Sequence, residues 1–195
     1  MLRRTIDKET LNELPQGQFQ GTIKVITRPE EVEEVIPEIS IHDVLGFDTE
    51  SKPAFKKGKQ NGISLLQLSS DDTAWLFRLQ QTGFPKSLVK LMATPTIRKI
   101  GAAILDDVRG LKRLKPFEDG GFIDLQKHVE EYGVEEKGVK KMAAIFLNMR
   151  ISKRQRLTNW EAPLLTEPQL RYAATDAWVC LKIYQQMQML KNNDK

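Results

Sequence analysis

The most constraining feature of the sequence is an apolar run, Val44-Leu45-Gly46-Phe47, that leads directly into Asp48-Thr49-Glu50. The run has the length and composition of a buried strand, and side chains alternate between the two faces of a strand. Asp48 and Glu50 are therefore predicted to share one face at the end of the strand, with Thr49 on the other. Two neighbouring carboxylates repel each other unless a cation lies between them. A divalent metal between them is one explanation of the pattern, and a solvated strand end is the alternative for this motif taken alone.

A second motif lies near the C-terminus, in Tyr172-Ala-Ala-Thr-Asp176. Tyr172 and Asp176 are four residues apart, a spacing that places both on one face of a helix. The start of this helix is well marked, because Thr166-Glu167-Pro168-Gln169 has the spacing of a capping box with proline in the first turn. A core tyrosine with an aspartate as its hydrogen-bond partner would give the same pattern. The presence of further carboxylates favours the metal site over that alternative.

Asp106 and Asp107 are both candidates for a central carboxylate of the site. The apolar residues around them have the spacing of an inward-facing helical stripe: Ile104, Val108, Leu111 and Leu114. Asp107 falls within this stripe, whereas Asp106 projects to nearly the opposite side. A buried ionised carboxylate needs a cation or hydrogen-bond donors, because leaving it unpaired costs several kcal/mol. Asp107 is therefore the predicted site residue.

The acidic and tyrosine motifs together resemble those of the DEDD superfamily of 3'-5' exonucleases, in the branch with tyrosine in its third motif. The residues that carry the resemblance are Asp48-x-Glu50, Asp107 and Tyr172-x-x-x-Asp176. The stretch that begins at Leu157-Thr158-Asn159-Trp160 and runs into the tyrosine motif is similar to exonuclease domains of the Werner type and, less closely, of the ribonuclease D type. The sequence lacks the glycine that often precedes the central aspartate. The resemblance implies a single α/β domain of ribonuclease H-like fold, a mixed β-sheet with helices on both faces. Residues 1–20 would be an N-terminal extension, and residues 21–195 the exonuclease domain.

The resemblance also implies a reaction, the hydrolysis of phosphodiester bonds from the 3' end of DNA with two divalent cations, Mg²⁺ or Mn²⁺. Asp48 would bridge both ions, Glu50 and Asp176 would complete the first site, and Asp107 would hold the second. Tyr172 would orient the attacking water and would not act as the base, because tyrosine titrates at roughly pH 10. An all-oxygen ligand set suits hard cations. The alternatives are a ribonuclease D-like exoribonuclease and a catalytically silent nucleic-acid-binding module on the same fold.

The other hydrophobic patterns predict the remaining elements of this fold. Strands are predicted at residues 22–26, 44–49, 63–68, 74–77, 98–102 and 121–123. Helices are predicted at residues 8–14, 29–39, 86–92 and 104–114, with further helices beyond the last strand. The short polar link at residues 70–72 favours a hairpin.

The net charge is +4, and basic residues flank both motifs. One cluster follows the first motif and consists of Lys52, Lys56, Lys57 and Lys59, and another precedes the tyrosine motif and consists of Lys137, Lys140, Lys141, Lys153, Arg154 and Arg156. The predicted contacts to nucleic-acid phosphates are Lys56, Lys57, Lys59, Lys153, Arg154 and Arg156. Trp160 is a further candidate, since it could stack on a base, although packing is the commoner role of a lone tryptophan in a loop.

The length of 195 residues and the hydrophobic content of 40% are sufficient for one domain with a sizeable core. No apolar stretch approaches the roughly 20 residues of a membrane span, and the N-terminus lacks the apolar region of a signal peptide. A soluble, cytoplasmic protein without membrane association is therefore expected. The single cysteine, Cys180, is predicted to be a buried packing residue. Asp124 is predicted to cap the helix that follows it.

Overall fold

The computed structural model describes residues 2–54 and 61–193. The α-helices, named in chain order, are α1 Lys8–Glu13, α2 Pro29–Ser40, α3 Leu79–Thr82, α4 Lys86–Ala93, α5 Leu105–Leu114, α6 Val139–Leu147 and α7 Glu167–Asn193. The strands are β1 Thr22–Ile26, β2 Val44–Ser51, β3 Ile63–Ser69, β4 Thr73–Arg78, β5 Arg98–Gly101 and β6 Phe122–Asp124. Two short 3-10 helices, Leu125–Lys127 and Val129–Tyr132, follow β6. Within the described ranges, no helix combines the length and apolar character that a membrane crossing requires.

The six strands form one mixed sheet in the order β1-β4-β3-β2-β5-β6. Strands β3 and β4 form the predicted antiparallel hairpin. The turn between them is closed by the backbone N–H of Ser70, which donates to the Thr73 carbonyl at 2.8 Å. Strand β2 is antiparallel to β3 and parallel to β5. It therefore lies inside the sheet, where its side chains reach both layers of helices.

Helices cover both faces of the sheet. On one face, Leu45 and Phe47 of β2 belong to a buried apolar cluster that also contains side chains of α2, α4 and α5. Full burial of a side chain such as Phe47 contributes about 1.5–3 kcal/mol of stability. On the other face, helices α6 and α7 pack together with Ile100 of β5 in a second cluster. The alternation along β2 thus directs Asp48 and Glu50 to the α7 side, away from the Phe47 cluster.

Helix α7 approaches β2 very closely at Gly46. A Cβ atom at this position would lie 2.0 Å from the carbonyl oxygen of Ala177. A single glycine inside a strand pattern is typical of a close approach between backbones. Because Asp176 directly precedes Ala177, the contact brings the acidic residue of α7 to the strand that carries Asp48.

The N-terminal segment packs onto the rest of the domain. Ile6 and Leu11 are buried in a small cluster with Ala144 of α6. Phe19 is 1% exposed, and its backbone N–H donates to the Thr175 hydroxyl of α7 at 3.0 Å. Residues 16–20 therefore lie along the first half of the helix that carries the tyrosine motif.

Some element boundaries differ from the prediction. Strand β2 continues to Ser51, because its backbone pairs with β3 from Gly46 to Ser51, so Asp48 and Glu50 lie before the last residue of the strand. Helix α5 begins at Leu105, one residue later than predicted. Leu114, assigned to the buried stripe, is 47% exposed because it lies at the last turn of α5, beyond the sheet contact. Helix α3, only four residues long, is too short to give a helical period in the sequence.

Candidate active site

Three carboxylates meet between β2 and α7. One oxygen from each of Asp48, Glu50 and Asp176 lies within 4.8 Å of the other two. Glu50 and Asp176 are each 8% exposed. The structure thus brings together three of the four carboxylates that the sequence predicted for the site.

Burial raises the pKa of all three carboxylic acids, and repulsion between carboxylates adds to the shift for Asp48 and Glu50. Loss of solvation is the largest cause for each of them, and it is followed for Asp48 by the charges of Asp176 and Glu50, so that the pKa of Asp48 is well above its usual value. The pKa of Glu50 rises to about 8 and that of Asp176 to about 6. Lys153 lowers the pKa of both Glu50 and Asp176, but its charge does not compensate for burial. The positive charges of the described residues are therefore not sufficient to keep all three carboxylic acids ionised at neutral pH.

The donor set fits a divalent cation. Oδ1 of Asp176 is buried and has no hydrogen-bond partner among residues 2–54 and 61–193. Leaving such an atom unpaired costs about 1–3 kcal/mol, and more when the group is charged. Carboxylate oxygens are the ligands that Mg²⁺ and Mn²⁺ prefer. A cation bound at this position would satisfy the unpaired oxygen and offset the repulsion together.

Tyr172 lies beside these carboxylates and is 6% exposed. Its ring packs on that of Trp160, with 5.9 Å between the ring centroids. The hydroxyl interacts with the carboxylate of Asp176, and burial, followed by the charges of Asp176 and Glu50, raises the pKa of Tyr172 far above its ordinary value. The phenol therefore stays protonated at neutral pH and can donate a hydrogen bond. It is not suited to act as a base.

Asp107 reaches the site from the opposite face of β2. Its Oδ1 accepts a hydrogen bond from the hydroxyl of Thr49, the residue between Asp48 and Glu50. Burial is the largest cause of its raised pKa, and its charge in turn raises the pKa of Asp48 and Glu50. The side chain of Asp106 is 93% exposed and pairs with Arg109 at 3.5 Å. The two aspartates have the orientations that helical phase predicts, while the catalytic role of Asp107 stays a prediction.

The basic residues predicted to bind nucleic acid fall into separate groups. Lys153 and Arg156 line the same cavity of about 210 Å³ as the three carboxylates. Arg154 lines a different groove, next to Tyr172. The remaining candidates lie outside the described residues: Lys56, Lys57 and Lys59. The phosphate contacts of this set stay predictions.

The stacking prediction for Trp160 is wrong, because its side chain is fully buried. The loop that covers it is held in place by Arg78, which donates to the carbonyl of Ala162 at 2.5 Å. The Gln169 amide also donates to the Thr158 hydroxyl at 3.0 Å. Trp160 consequently has no face free for a base, and it supports Tyr172 as a packing residue.

Residues 23–190 match the sequence profile of a family described as 3'-5' exonuclease. The chain belongs to this family. The family prediction made from the acidic and tyrosine motifs is thereby confirmed.

Relatives of this chain include the bifunctional 3'-5' exonuclease/ATP-dependent helicase WRN of Mus musculus, which is 31% identical over 199 residues. That alignment covers 93% of the chain and 14% of the relative. The chain spans less than half the length of the first curated relatives that it matches.

Two solved structures share the fold of this chain. The EXO domain of Aedes aegypti Nibbler superimposes with a TM-score of 0.82 at 20% identity, covering 92% of this chain and 94% of that domain. Escherichia coli RNase D gives a TM-score of 0.78 at 21% identity, covering 88% of this chain and 46% of that protein. The predicted fold class, an α/β ribonuclease H-like mixed sheet with helices on both faces, is confirmed.

Three features of the candidate site are not among the residues that the sequence motifs predict for it. Thr49 was placed on the correct face of β2, but its partner on α5 was not identified. Cys180 is buried as predicted, and it also lines the carboxylate cavity, a position indicated by its spacing of four residues from Asp176. Gly46, a single glycine in a strand pattern, indicated the close approach of α7.

The two predicted helix caps are confirmed. The Thr166 hydroxyl accepts from the Gln169 N–H at 3.4 Å, and the Gln169 side chain accepts from the Thr166 N–H at 3.0 Å. The Asp124 carboxylate caps the first 3-10 helix by accepting from the N–H of Gln126 at 3.0 Å. It also accepts from the N–H of Ala103 at 2.9 Å.

Proposed function

We propose that this protein is a metal-dependent enzyme that removes nucleotides one at a time from the 3' end of DNA. The observation that carries the proposal is the buried group of Asp48, Glu50 and Asp176, with one oxygen of Asp176 unpartnered within the described chain. Membership of the 3'-5' exonuclease family supports the direction of the reaction.

The acidic residues fit two divalent cations, Mg²⁺ or Mn²⁺. Asp48, Glu50 and Asp176 would hold one of them, and Asp107 would hold the second together with Asp48. When bound, such cations lower the pKa of a water molecule and offset the charge on the attacking and leaving oxygens of the phosphodiester.

The other residues of the cavity would position the substrate and the water. Tyr172 keeps its proton and would hold the attacking water through a hydrogen bond. Lys153 and Arg156, which line the carboxylate cavity, would bind oxygens of the scissile phosphate. Their positive charges also reduce the repulsion between that phosphate and Glu50. Arg154 would contact a phosphate farther along the strand.

DNA is the proposed substrate because the similarity to the WRN relative is 31% and extends over 93% of the chain. The motif that begins at Leu157 also resembles the Werner type more closely than the ribonuclease D type. RNA is the second candidate. It is favoured by the fold shared with Escherichia coli RNase D, which is described as an exoribonuclease involved in structured RNA processing.

The test uses purified protein with Mg²⁺ or Mn²⁺ on three substrates labelled at the 5' end: single-stranded DNA, duplex DNA with a recessed 3' end, and RNA of the same sequence. The expected result is a ladder of DNA products shortened from the 3' end, which disappears with EDTA. Asp48→Asn should give no ladder, and Asp106→Asn is the matched control on an exposed aspartate.

Two results would contradict the proposal. Faster shortening of RNA than of both DNA substrates would favour the second candidate. Tight binding of all three strands by a folded, metal-loaded protein without any shortening would indicate a silent nucleic-acid-binding module.

A further inference from the structure

We infer that a groove between residues 16–20 and the start of α7 binds a nucleotide of the substrate strand next to the one at the carboxylates. The groove has a volume of about 590 Å³. This volume lies within the usual range for ligand sites, about 300–1,000 Å³. Tyr172 lines both the groove and the carboxylate cavity, so the two spaces adjoin. The inference rests on the proposed exonuclease function.

The N-terminal wall of the groove is fixed to the domain through its backbone. The N–H of Phe19 donates to the Thr175 hydroxyl, and the carbonyl of Phe19 accepts from the Arg171 guanidinium, both at 3.0 Å. The N–H of Gly17 donates to the carbonyl of Arg150 at 2.9 Å. A wall whose backbone is already ordered presents its side chains in set directions, which reduces the entropy lost on binding.

Several polar side chains in the groove have no side-chain partner among the residues that the structure describes. They are the amides of Gln16, Gln18 and Gln155 and the guanidinium of Arg154. The carboxylate of the groove, Glu167, is already paired with Arg171 at 2.7 Å. The groove therefore offers one unpaired cation and several amide donors and acceptors, while its acidic group is neutralised.

This combination matches the chemistry of a nucleotide. A guanidinium pairs with a phosphate, and amides donate to and accept from base edges and sugar hydroxyls. An acidic peptide would be served by several cations, whereas the unpaired set here is mainly amides. Residues 16–20 also lie outside the range 23–190 that matches the family profile. Family membership alone therefore does not assign this wall to substrate binding.

The test compares the wild type with the double variant Gln16→Ala/Gln18→Ala. The matched control is Asn12→Ala, an exposed amide on α1 that does not line the groove. KM and kcat are measured on single-stranded DNA, and Kd is measured by fluorescence anisotropy with Ca²⁺ in place of Mg²⁺. The loss of two hydrogen bonds should raise KM and Kd by about 5- to 30-fold, with kcat changed less than about twofold. Asn12→Ala should match the wild type.

A second variant, Gln18→Glu, keeps the size of the side chain and adds a negative charge. It should raise KM more than Gln18→Ala does, because a carboxylate repels phosphate. Competition by a deoxynucleoside 5'-monophosphate distinguishes the two nucleotides next to the scissile bond. Unchanged inhibition with a raised KM would support the inference, because the groove would then hold the strand that remains. Weaker inhibition in the double variant would overturn it, because the groove would then hold the released nucleotide.

The groove and the exonuclease proposal fail in different ways. If the wild type shortens DNA while KM and Kd of the double variant equal those of the wild type, the groove inference is overturned and the exonuclease proposal stands. A fall in kcat alone would also overturn it, since the segment would then only support Tyr172. If the wild type shortens no strand with either metal, the exonuclease proposal itself is wrong.

Discussion

Two sites on neighbouring strands bury ionisable groups, and they do so in opposite ways. Lys99 of β5 pairs in register with Leu45 of β2, and its side chain is fully buried. Its ammonium donates to three carbonyl oxygens, those of Leu91 at 3.4 Å, Thr94 at 2.7 Å and Gly120 at 2.5 Å. The carboxylates of Asp48, Glu50 and Asp176 lie on the adjacent strand and on α7. An oxygen of Asp176 has no donor within the described residues.

The comparison shows that burial of a charge is not by itself a sign of function. An ammonium has three N–H donors, and Lys99 has an acceptor for each, so the site is complete without a ligand. The three carboxylates lack enough nearby positive charge to offset their repulsion, and one oxygen of Asp176 lacks a hydrogen-bond donor among the described residues. A bound cation would supply what both are missing. If only the carboxylate site needs a cation, changes at the two sites should affect activity and stability differently.

The largest effect is expected for Asp176→Asn, which removes one charge from the incomplete site. Hydrolysis should fall at least about a thousandfold, because a metal ligand is lost. Without metal, the melting temperature should rise, because repulsion among the carboxylates decreases. Thermal unfolding with EDTA and with Mg²⁺ checks both statements. A variant that retains the full Mg²⁺-dependent rise in melting temperature would show that Asp176 binds no cation.

The next effect concerns Asp107 and Asp106, which are about 100° apart around the axis of α5. The first accepts a hydrogen bond from Thr49, and the second is exposed. Asp107→Asn should lower kcat about a hundredfold, because the second cation, which would help to offset charge on the reacting oxygens, loses a ligand. Asp106→Asn should change kcat less than about twofold, because this side chain is exposed. Steady-state kinetics of the two variants on one DNA substrate provide the measurement, and the reverse ranking would remove Asp107 from the site.

A smaller effect is expected for Tyr172→Phe, which keeps the ring packed on Trp160 and removes the hydroxyl. Turnover should decrease by about 10- to 100-fold, because one hydrogen bond to the attacking water is lost. The affinity for Mg²⁺, measured by titration, should stay nearly constant. Tyr184→Phe on the same helix is the control. Unchanged turnover with a lower melting temperature would mean that Tyr172 has only a packing role.

The smallest effect on activity is expected at the complete site. Burial lowers the pKa of Lys99 from 10.5 to about 8, so between these values the unfolded chain binds more protons than the folded one. Stability from this group therefore rises with pH across that window, and the cost of burying the charge is fully present below pH 8. The stability of Lys99→Met relative to the wild type should fall by about 3 kcal/mol from pH 7 to pH 10.

Urea unfolding at several pH values measures this difference, and turnover of Lys99→Met at pH 7 should stay within about twofold of the wild type. A stability difference that does not vary with pH would show that burial does not lower the pKa of Lys99. A large loss of turnover would show that the site is not independent of the carboxylates.

The parts of the site that the sequence predicts are those that depend on local periodicity. Asp48 and Glu50 share a face because strands have a period of 2, and Tyr172 and Asp176 share a face because helices have a period of 3.6. Asp106 and Asp107 are separated by the same reasoning. The capping box at Thr166 locates the start of α7 to within a residue.

The parts that could not be predicted depend on contacts between distant segments. Lys99 occupies an ordinary strand position, and its three acceptors come from the end of α4 and from the loop before β6. Trp160 is buried in a cluster with Leu65 and Tyr172, and Arg78 and Gln169 bind the loop that carries it. The link from Thr49 to Asp107 joins residues 58 positions apart. None of these contacts leaves a periodic signal in the sequence.

The lack of a side chain at Gly46 determines how closely the carboxylates of β2 and α7 can approach each other. Two of the three carboxylates are carried by β2 and the third by α7. The backbones of this strand and this helix meet directly at Gly46, where even a methyl group would come within 2.0 Å of the Ala177 oxygen. A displacement on the order of 1 Å in such a site can cost about a hundredfold in rate. A larger side chain at position 46 should therefore lower the proposed activity although every acidic residue remains in place. The identity of the metal ligands alone would not explain such a loss.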